Sequence, residues 1–303
     1  MQASPLTMNP SEAQPRVRWS LISDLIKARL TMLVLLTTLF GFYLGSGRVV
    51  NYALLFKTML GTGLLASGAA ALNQYLERDH DAKMKRTEGR PLPSRQLTPQ
   101  TALLIGVAAS VIGMTELAVG VDLLTSVLGV ATLLSYLFVY TPLKRVTTLN
   151  TVIGAIPGAL PPLMGWTAAS GRGEVASEGL ALFGILFFWQ LPHFLAIAWL
   201  YREDYAKAGF QMLPVVDLSG ERTGRSALLH TLGLVPVSLL PVAFKMAGAI
   251  YLAGALICGM GFLYCAWQFS RDLTRDRARR LFFASLLYLP VVLGLMVFDR
   301  IKN

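Results

Sequence analysis

Nine stretches of this chain run for about 18 residues each with very few charged side chains. They fall at 29–46, 52–73, 101–119, 122–141, 150–169, 180–200, 227–243, 247–269 and 281–298. Stretches of that length span the hydrocarbon core of a bilayer as helices, because the backbone must satisfy its own hydrogen bonds there. Barrel strands are excluded, since the apolar runs are continuous and do not alternate. Only 15% of the 303 residues are charged, against about a quarter in soluble domains. The expected fold is therefore an all-α membrane protein of nine transmembrane helices.

The basic residues alternate between loops as the positive-inside rule requires. With a cytoplasmic N-terminus and the C-terminus outside, all but six of the 27 fall on the cytoplasmic side. The exceptions are Arg48, Lys57, Arg172, Lys245, Arg300 and Lys302. The net charge of +10 thus reflects topology and an anion site, and nucleic acid is not an expected partner. Residues 1–20, with Pro5, Pro10 and Pro15, read as a disordered cytoplasmic tail ahead of a single transmembrane domain over 21–303. Cys258 and Cys265 lie in one span and read as packing residues. The simplest location is a bacterial inner membrane, with the lipid bilayer as solvent.

Three long inward loops, 73–100, 141–151 and 201–226, carry most of the reactive side chains. In the first, Asn73, Glu77 and Asp81 stand at i, i+4 and i+8, on one helix face. Two carboxylates and an amide on one stripe either mark a solvated helix end or hold a hard cation such as Mg²⁺. The stripe begins at membrane depth, where polar groups are costly unless used. Arg86, Arg90 and Arg95 follow, with Pro91 and Pro93 stiffening the chain. They serve topology, or clamp phosphate oxygens with their guanidinium forks.

The second loop carries Lys144 and Arg145, readable as topogenic or as anion-binding. It leads into a span broken by Pro157, Pro161 and Pro162, whose bends and small residues permit close packing or a cavity. The third follows a span containing Pro192 and His193 and brings Tyr201, Asp204, Tyr205 and Lys207. An intramembrane His such as His193 either hydrogen-bonds a neighbouring helix or serves as a ligand or acid–base group. His80 and Asp79 fall off the carboxylate stripe and receive no role.

Asn73-x-x-x-Glu77-x-x-x-Asp81 with Arg86-Thr-x-x-Arg90-Pro resembles the signature of the UbiA superfamily of intramembrane prenyltransferases. Trp189-Gln-x-Pro-His193, Asp204-Tyr205-x-x-Ala-Gly209 and Tyr140-Thr-x-x-Lys144-Arg145 are similar to the branch that farnesylates haem. The resemblance runs over roughly residues 24–298. Two departures stand out: Glu77 replaces the commoner Asp, and the second acidic motif keeps Asp204 as its clearest acid.

The resemblance implies a UbiA-type bundle and an enzyme using farnesyl diphosphate and haem B as substrates, with Mg²⁺ as cofactor. It implies metal binding and catalysis by Asn73, Glu77, Asp81 and Asp204. It further implies substrate binding by Arg86, Arg90, Lys144, Arg145, Tyr201, Lys207 and His193. Haem A synthase or oxidase assembly factors are the implied partners for product hand-off. Prenylation of a quinone precursor such as 4-hydroxybenzoate or a naphthoate is the neighbouring alternative. Transport or lipid binding is the alternative from another class, and the absence of paired inverted motifs argues against it.

Overall fold

A computed structural model describes residues 19–301. Among them, nine helices are long and apolar enough to cross a membrane. These are α1 (Ala28–Gly45), α2 (Tyr52–Asp81), α3 (Pro99–Gly120), α4 (Leu123–Leu143), α5 (Asn150–Ser170), α6 (Ser177–Leu200), α7 (Glu221–Ala243), α8 (Ala249–Arg271) and α9 (Arg275–Phe298). The expected nine spans are thus present, each within a few residues of its sequence assignment apart from the ends of α2, α7 and α9. Of the tail expected at 1–20, residues 1–18 lie outside the described residues, while 19 and 20 already begin a helix running to residue 25.

Local signals set several boundaries. Asn51, Thr98, Asp122 and Thr274 each accept a backbone N–H of the first turn of α2, α3, α4 and α9. Gly171, at φ 61°, ends α5 in the left-handed region where a Cβ would be strained. The sequence stops α2 at residue 73 by hydropathy. The helix instead continues to Asp81, so the whole polar stripe is a projection of one helix.

Each helix packs beside its sequence neighbour, and α5 also packs along α1 while α6 also packs along α9. Two-thirds (67%) of the most apolar window of α5 is buried, more than in any other span. Small residues permit that central place: a side chain at Gly41 of α1 would strike the Pro162 carbonyl, and one at Gly165 the Thr38 carbonyl. In a bilayer such backbone approach replaces the hydrophobic effect as the source of helix affinity. The largest apolar cluster joins α6, α7, α8 and α9 around Leu182, Ile185, Phe262, Phe269 and Val292.

α4 changes character midway. Ser135–Tyr140 form a π-turn, and the Thr141 N–H reaches back to the Tyr136 carbonyl. Pro142 explains the shift, since it has no N–H to continue the α ladder. The Thr141 hydroxyl adds a second bond to the same carbonyl, at 2.9 Å.

Candidate active site

The three long loops meet at one end of the bundle. The Gln211 N–H donates to the Lys144 carbonyl at 2.6 Å, and Asn150 Nδ2 donates to the Gln211 carbonyl at 2.9 Å. His80 joins them, its Nδ1 on the Ala208 carbonyl at 3.0 Å and its Nε2 facing Arg145 Nη1 at 3.3 Å. Sequence reasoning gave His80 no part; it ties the second and third loops to α2. Below the loops, Met84, Ala198, Ala208, Phe210 and Met212 form a small apolar plug.

A cavity of about 320 Å³ opens beneath this junction. Its α2 wall runs from Ala66 through Ala69, Ala70, Asn73 and Glu77 to Asp81. At 1.5 Å rise per residue that wall is about 22 Å long, apolar at depth and polar at the loop end. Thr31 and Val34 of α1, Tyr136 and Tyr140 of α4, and Gly154, Pro157, Gly158 and Pro161 of α5 complete the walls. The π-turn places Tyr136 and Tyr140 on one side, their rings stacked at 5.8 Å.

Asn73, Glu77 and Asp81 are all buried, and each meets a cation. Lys27 Nζ lies 2.6 Å from Asn73 Oδ1. Lys144 Nζ lies 2.9 and 3.0 Å from the two Glu77 carboxylate oxygens. Arg90 Nη1 lies 2.6 Å from Asp81 Oδ2. Asn73 Nδ2 also donates to Glu77 Oε2 at 2.9 Å and Thr141 Oγ1 at 3.2 Å, which orients its amide. Arg86 sits at the mouth, donating to the Tyr205 hydroxyl at 3.1 Å and stacking over the Tyr201 and Tyr205 rings at 5.2 and 5.1 Å.

Burial, followed by the repulsion of Arg90 and Lys144, pushes the Lys27 ammonium down to about 7. Glu77 and Asp81 pull it the other way, and only in part. Burial also opposes the Lys144 charge, yet the Tyr140 hydroxyl and the Glu77 carboxylate more than offset this and hold its ammonium above the usual range.

Six predicted residues therefore come together: Asn73, Glu77, Asp81, Arg86, Arg90 and Lys144 line or cap one cavity. Five do not line it. Asp204 borders a separate cleft with Trp199, Arg202, Leu273 and Arg275. Arg145 and Lys207 are exposed on the loop surface. His193 faces α9, stacked between Trp189 (5.2 Å) and Phe282 (5.0 Å), with Nδ1 2.7 Å from Ser285 Oγ. Tyr201 touches the site only through Arg86 and itself borders the Asp204 cleft. Lys27 and Tyr136 were missed. Lys27 carries no motif signal beyond a basic residue before a span, and Tyr136 is one aromatic in an apolar run.

Among the described residues no group of three or more His, Cys, Asp or Glu gathers as a metal site. The stripe offers one amide and two carboxylate oxygen donors, the partial cage that Mg²⁺ accepts when phosphate oxygens and water supply the rest. The donor set fits Mg²⁺ bound together with an anionic substrate and does not fit a closed structural metal.

Residues 34–287 match the UbiA prenyltransferase family. The chain is 48% identical over 286 residues to Protoheme IX farnesyltransferase of Solibacter usitatus, covering 91% of this chain and 97% of the relative. It is 46% identical over 279 residues to Protoheme IX farnesyltransferase of Opitutus terrae, covering 92% and 94%. In fold it is similar to a digeranylgeranylglyceryl phosphate synthase, with TM-score 0.80 at 16% identity over 94% of this chain and 99% of that one. A UbiA homolog from Archaeoglobus fulgidus bound to GPP and Mg²⁺ gives TM-score 0.64 at 16% identity over 91% and 99%. With nine membrane-length helices among its described residues, its buried Asn73–Glu77–Asp81 stripe and these matches along most of its length, the chain belongs to the UbiA prenyltransferase family.

Proposed function

We propose that the chain transfers the farnesyl group of farnesyl diphosphate to a vinyl group of haem B, with addition of water, releasing haem O and diphosphate. The observation that carries the reading is the meeting of Asn73, Glu77 and Asp81 with Arg90 and Lys144 at one end of an otherwise apolar cavity. A prenyl diphosphate has that same division, a multiply charged anionic head on an apolar tail. The names of the relatives support the acceptor and the chain length.

Asn73, Glu77 and Asp81 would hold Mg²⁺, which would supply Lewis-acid stabilisation of the charge developing on the leaving diphosphate. Arg86, Arg90 and Lys144 donate to the outer diphosphate oxygens, and Arg145 and Lys207 extend the positive mouth. A role for Asp204 requires the short helix Arg202–Lys207 to turn inward, because its carboxylate borders the neighbouring cleft.

The C1–O bond breaks with both electrons leaving on oxygen, which gives an allylic cation beside the Tyr136 and Tyr140 rings, where cation–π attraction is available. The haem vinyl π-electrons form the new bond to C1. Water then adds to the resulting benzylic-type cation and loses a proton to give the hydroxyl. Thr31, Val34, Ala66, Ala69 and Ala70 keep the prenyl end of the cavity apolar and water away from C1 until the acceptor is present.

His193 is assigned to haem. Ser285 Oγ donates its only proton to the Phe282 carbonyl at 2.5 Å, so it accepts from His193 Nδ1–H. Nε2 then carries a free lone pair between two aromatic walls, the state in which imidazole binds iron. The loop end of the bundle is assigned to the cytoplasmic face of a bacterial inner membrane, N-terminus in and C-terminus out. Haem A synthase or oxidase assembly factors take the product.

The test is incubation of the detergent-purified chain with Mg²⁺, farnesyl diphosphate and haem B, followed by mass spectrometry of the porphyrin extract. A Mg²⁺-dependent product heavier by one farnesyl group and one hydroxyl group is expected. Unchanged haem beside a prenylated 4-hydroxybenzoate or naphthoate would overturn the acceptor assignment. No transfer to any acceptor would overturn the reaction.

A further inference from the structure

Lys27 reads from sequence as one topogenic charge among several, yet the fold gives it a constrained place in the site. It lies where the helix over 19–25 turns into α1, and its φ of 48° and ψ of 54° are left-handed. A residue with a Cβ enters that region at a cost, so the surroundings must hold it there. They do so from both sides. Gln74 Nε2 donates to the Asp24 and Leu25 carbonyls at 2.7 and 2.8 Å, and the Thr31 hydroxyl donates to the Ile26 carbonyl at 2.8 Å. Leu25 is fully buried against Ala71, Leu92 and Ala102. The outcome is an ammonium held 2.6 Å from Asn73 Oδ1.

Each donor residue of the α2 stripe is thereby engaged by a cation of its own: Asn73 by Lys27, Glu77 by Lys144, Asp81 by Arg90. Two carboxylates face Lys144, Arg90 and Arg86, so the site is net positive before Lys27 is counted. A bare divalent cation is repelled by that charge and must also strip a partner from each oxygen. A metal–diphosphate complex differs on both counts. It carries net negative charge, and its outer oxygens offer acceptors to the ammonium and guanidinium groups it displaces.

We propose that these cations exclude free divalent metal from the α2 stripe and admit it together with a diphosphate. Lys27 is the residue that leaves Asn73 Oδ1 for the arriving anion. The inference rests on the metal–diphosphate reading of the site given above.

Equilibrium dialysis of the full chain in detergent tests it, with Mn²⁺ as the probe and inorganic pyrophosphate present or absent. Protein-associated Mn²⁺ should reflect binding about tenfold or more tighter with pyrophosphate, within the usual range of coupling between two ligands. Lys27→Met should raise the affinity for Mn²⁺ alone several-fold, whereas Lys27→Arg, which keeps the charge, should not. Equal wild-type affinity in both conditions would overturn the proposal while leaving the metal site standing, and this comparison depends on no variant. A Lys27→Met protein with unchanged affinity for Mn²⁺ alone would overturn the part given to Lys27. No Mn²⁺ bound in either condition would overturn the metal reading, and the proposal with it.

Discussion

Lys144 and Glu77 stand 67 residues apart in sequence, yet the lysine ammonium meets both oxygens of the carboxylate at 2.9 and 3.0 Å. Each side chain is largely shielded, at 13% and 7% exposure. Removing one partner of such a pair strands the other charge, at a cost of about 3 kcal/mol. Lys144→Met should therefore lower the thermal unfolding midpoint in detergent. The double variant with Glu77→Gln should recover most of that loss and remain inactive. A double variant destabilised by the sum of the two single variants would show that the pair contributes no coupling.

For Asp81 and Glu77 the loss of activity should far exceed what their ion pairs with Arg90 and Lys144 contribute to stability. Asp81→Asn and Glu77→Gln keep shape and remove charge, so farnesyl transfer should fall by at least about a hundredfold, a loss of about 2.7 kcal/mol in the transition state. Both variants should show a lowered unfolding midpoint, since each strands a buried cation, yet be recovered folded from the membrane fraction. Wild-type-like turnover in either purified variant would remove these residues from the reaction.

Arg86 presents a planar guanidinium between the Tyr201 and Tyr205 rings. Lysine keeps the charge but loses the stacking surface and the two-pronged donor geometry. Arg86→Lys should raise KM for farnesyl diphosphate about tenfold, or about 1.4 kcal/mol, with kcat changed less. Steady-state kinetics with haem saturating would measure the split.

For His193, the informative comparison is with its orienting partner. His193→Phe preserves the aromatic stack on Trp189 and Phe282 while removing the nitrogen. KM for haem should rise and KM for farnesyl diphosphate should not. Ser285→Ala frees the tautomer and should weaken haem binding about tenfold, read as a loss of the haem absorption shift in a titration.

The backbone contact between α1 and α5 makes a stability prediction. A methyl at Gly165 would meet the Thr38 carbonyl and the Phe42 amide, neither of which can turn aside. Gly165→Ala should destabilise the bundle by about 2 kcal/mol, the scale of overpacking. An alanine at Gly294, which has open space around it, should leave the unfolding midpoint unchanged.

The loops' convergence was legible before the structure, because Lys and Arg placement assigns them to one face. The shared helix face of Asn73, Glu77 and Asp81 was legible too from its i, i+4, i+8 spacing, although hydropathy ended the span at residue 73. The route of α4 was not: Pro142 flags a break, but only the fold shows that the break is taken up as a π-turn which turns Tyr136 and Tyr140 toward the cavity. Nor was the fate of Asp204, whose short helix sits over a different cleft.

The sequence by itself determined the number of spans, the polar stripe of Asn73, Glu77 and Asp81, and the arginines that follow it. Those are local quantities, set by hydropathy over a span and by the 3.6-residue period. Tertiary structure decided which way each helix faces. These spans are apolar nearly all round, so no amphipathic stripe marks their inner side, and rotation follows from where distant small residues let backbones touch. That contact, at Gly41 and Gly165, helps seat α1 beside α5. The anchoring of Leu25 and the clamp from Gln74 then aim Lys27 at Asn73, while the docking of α6 on α9 turns His193 away from the cavity.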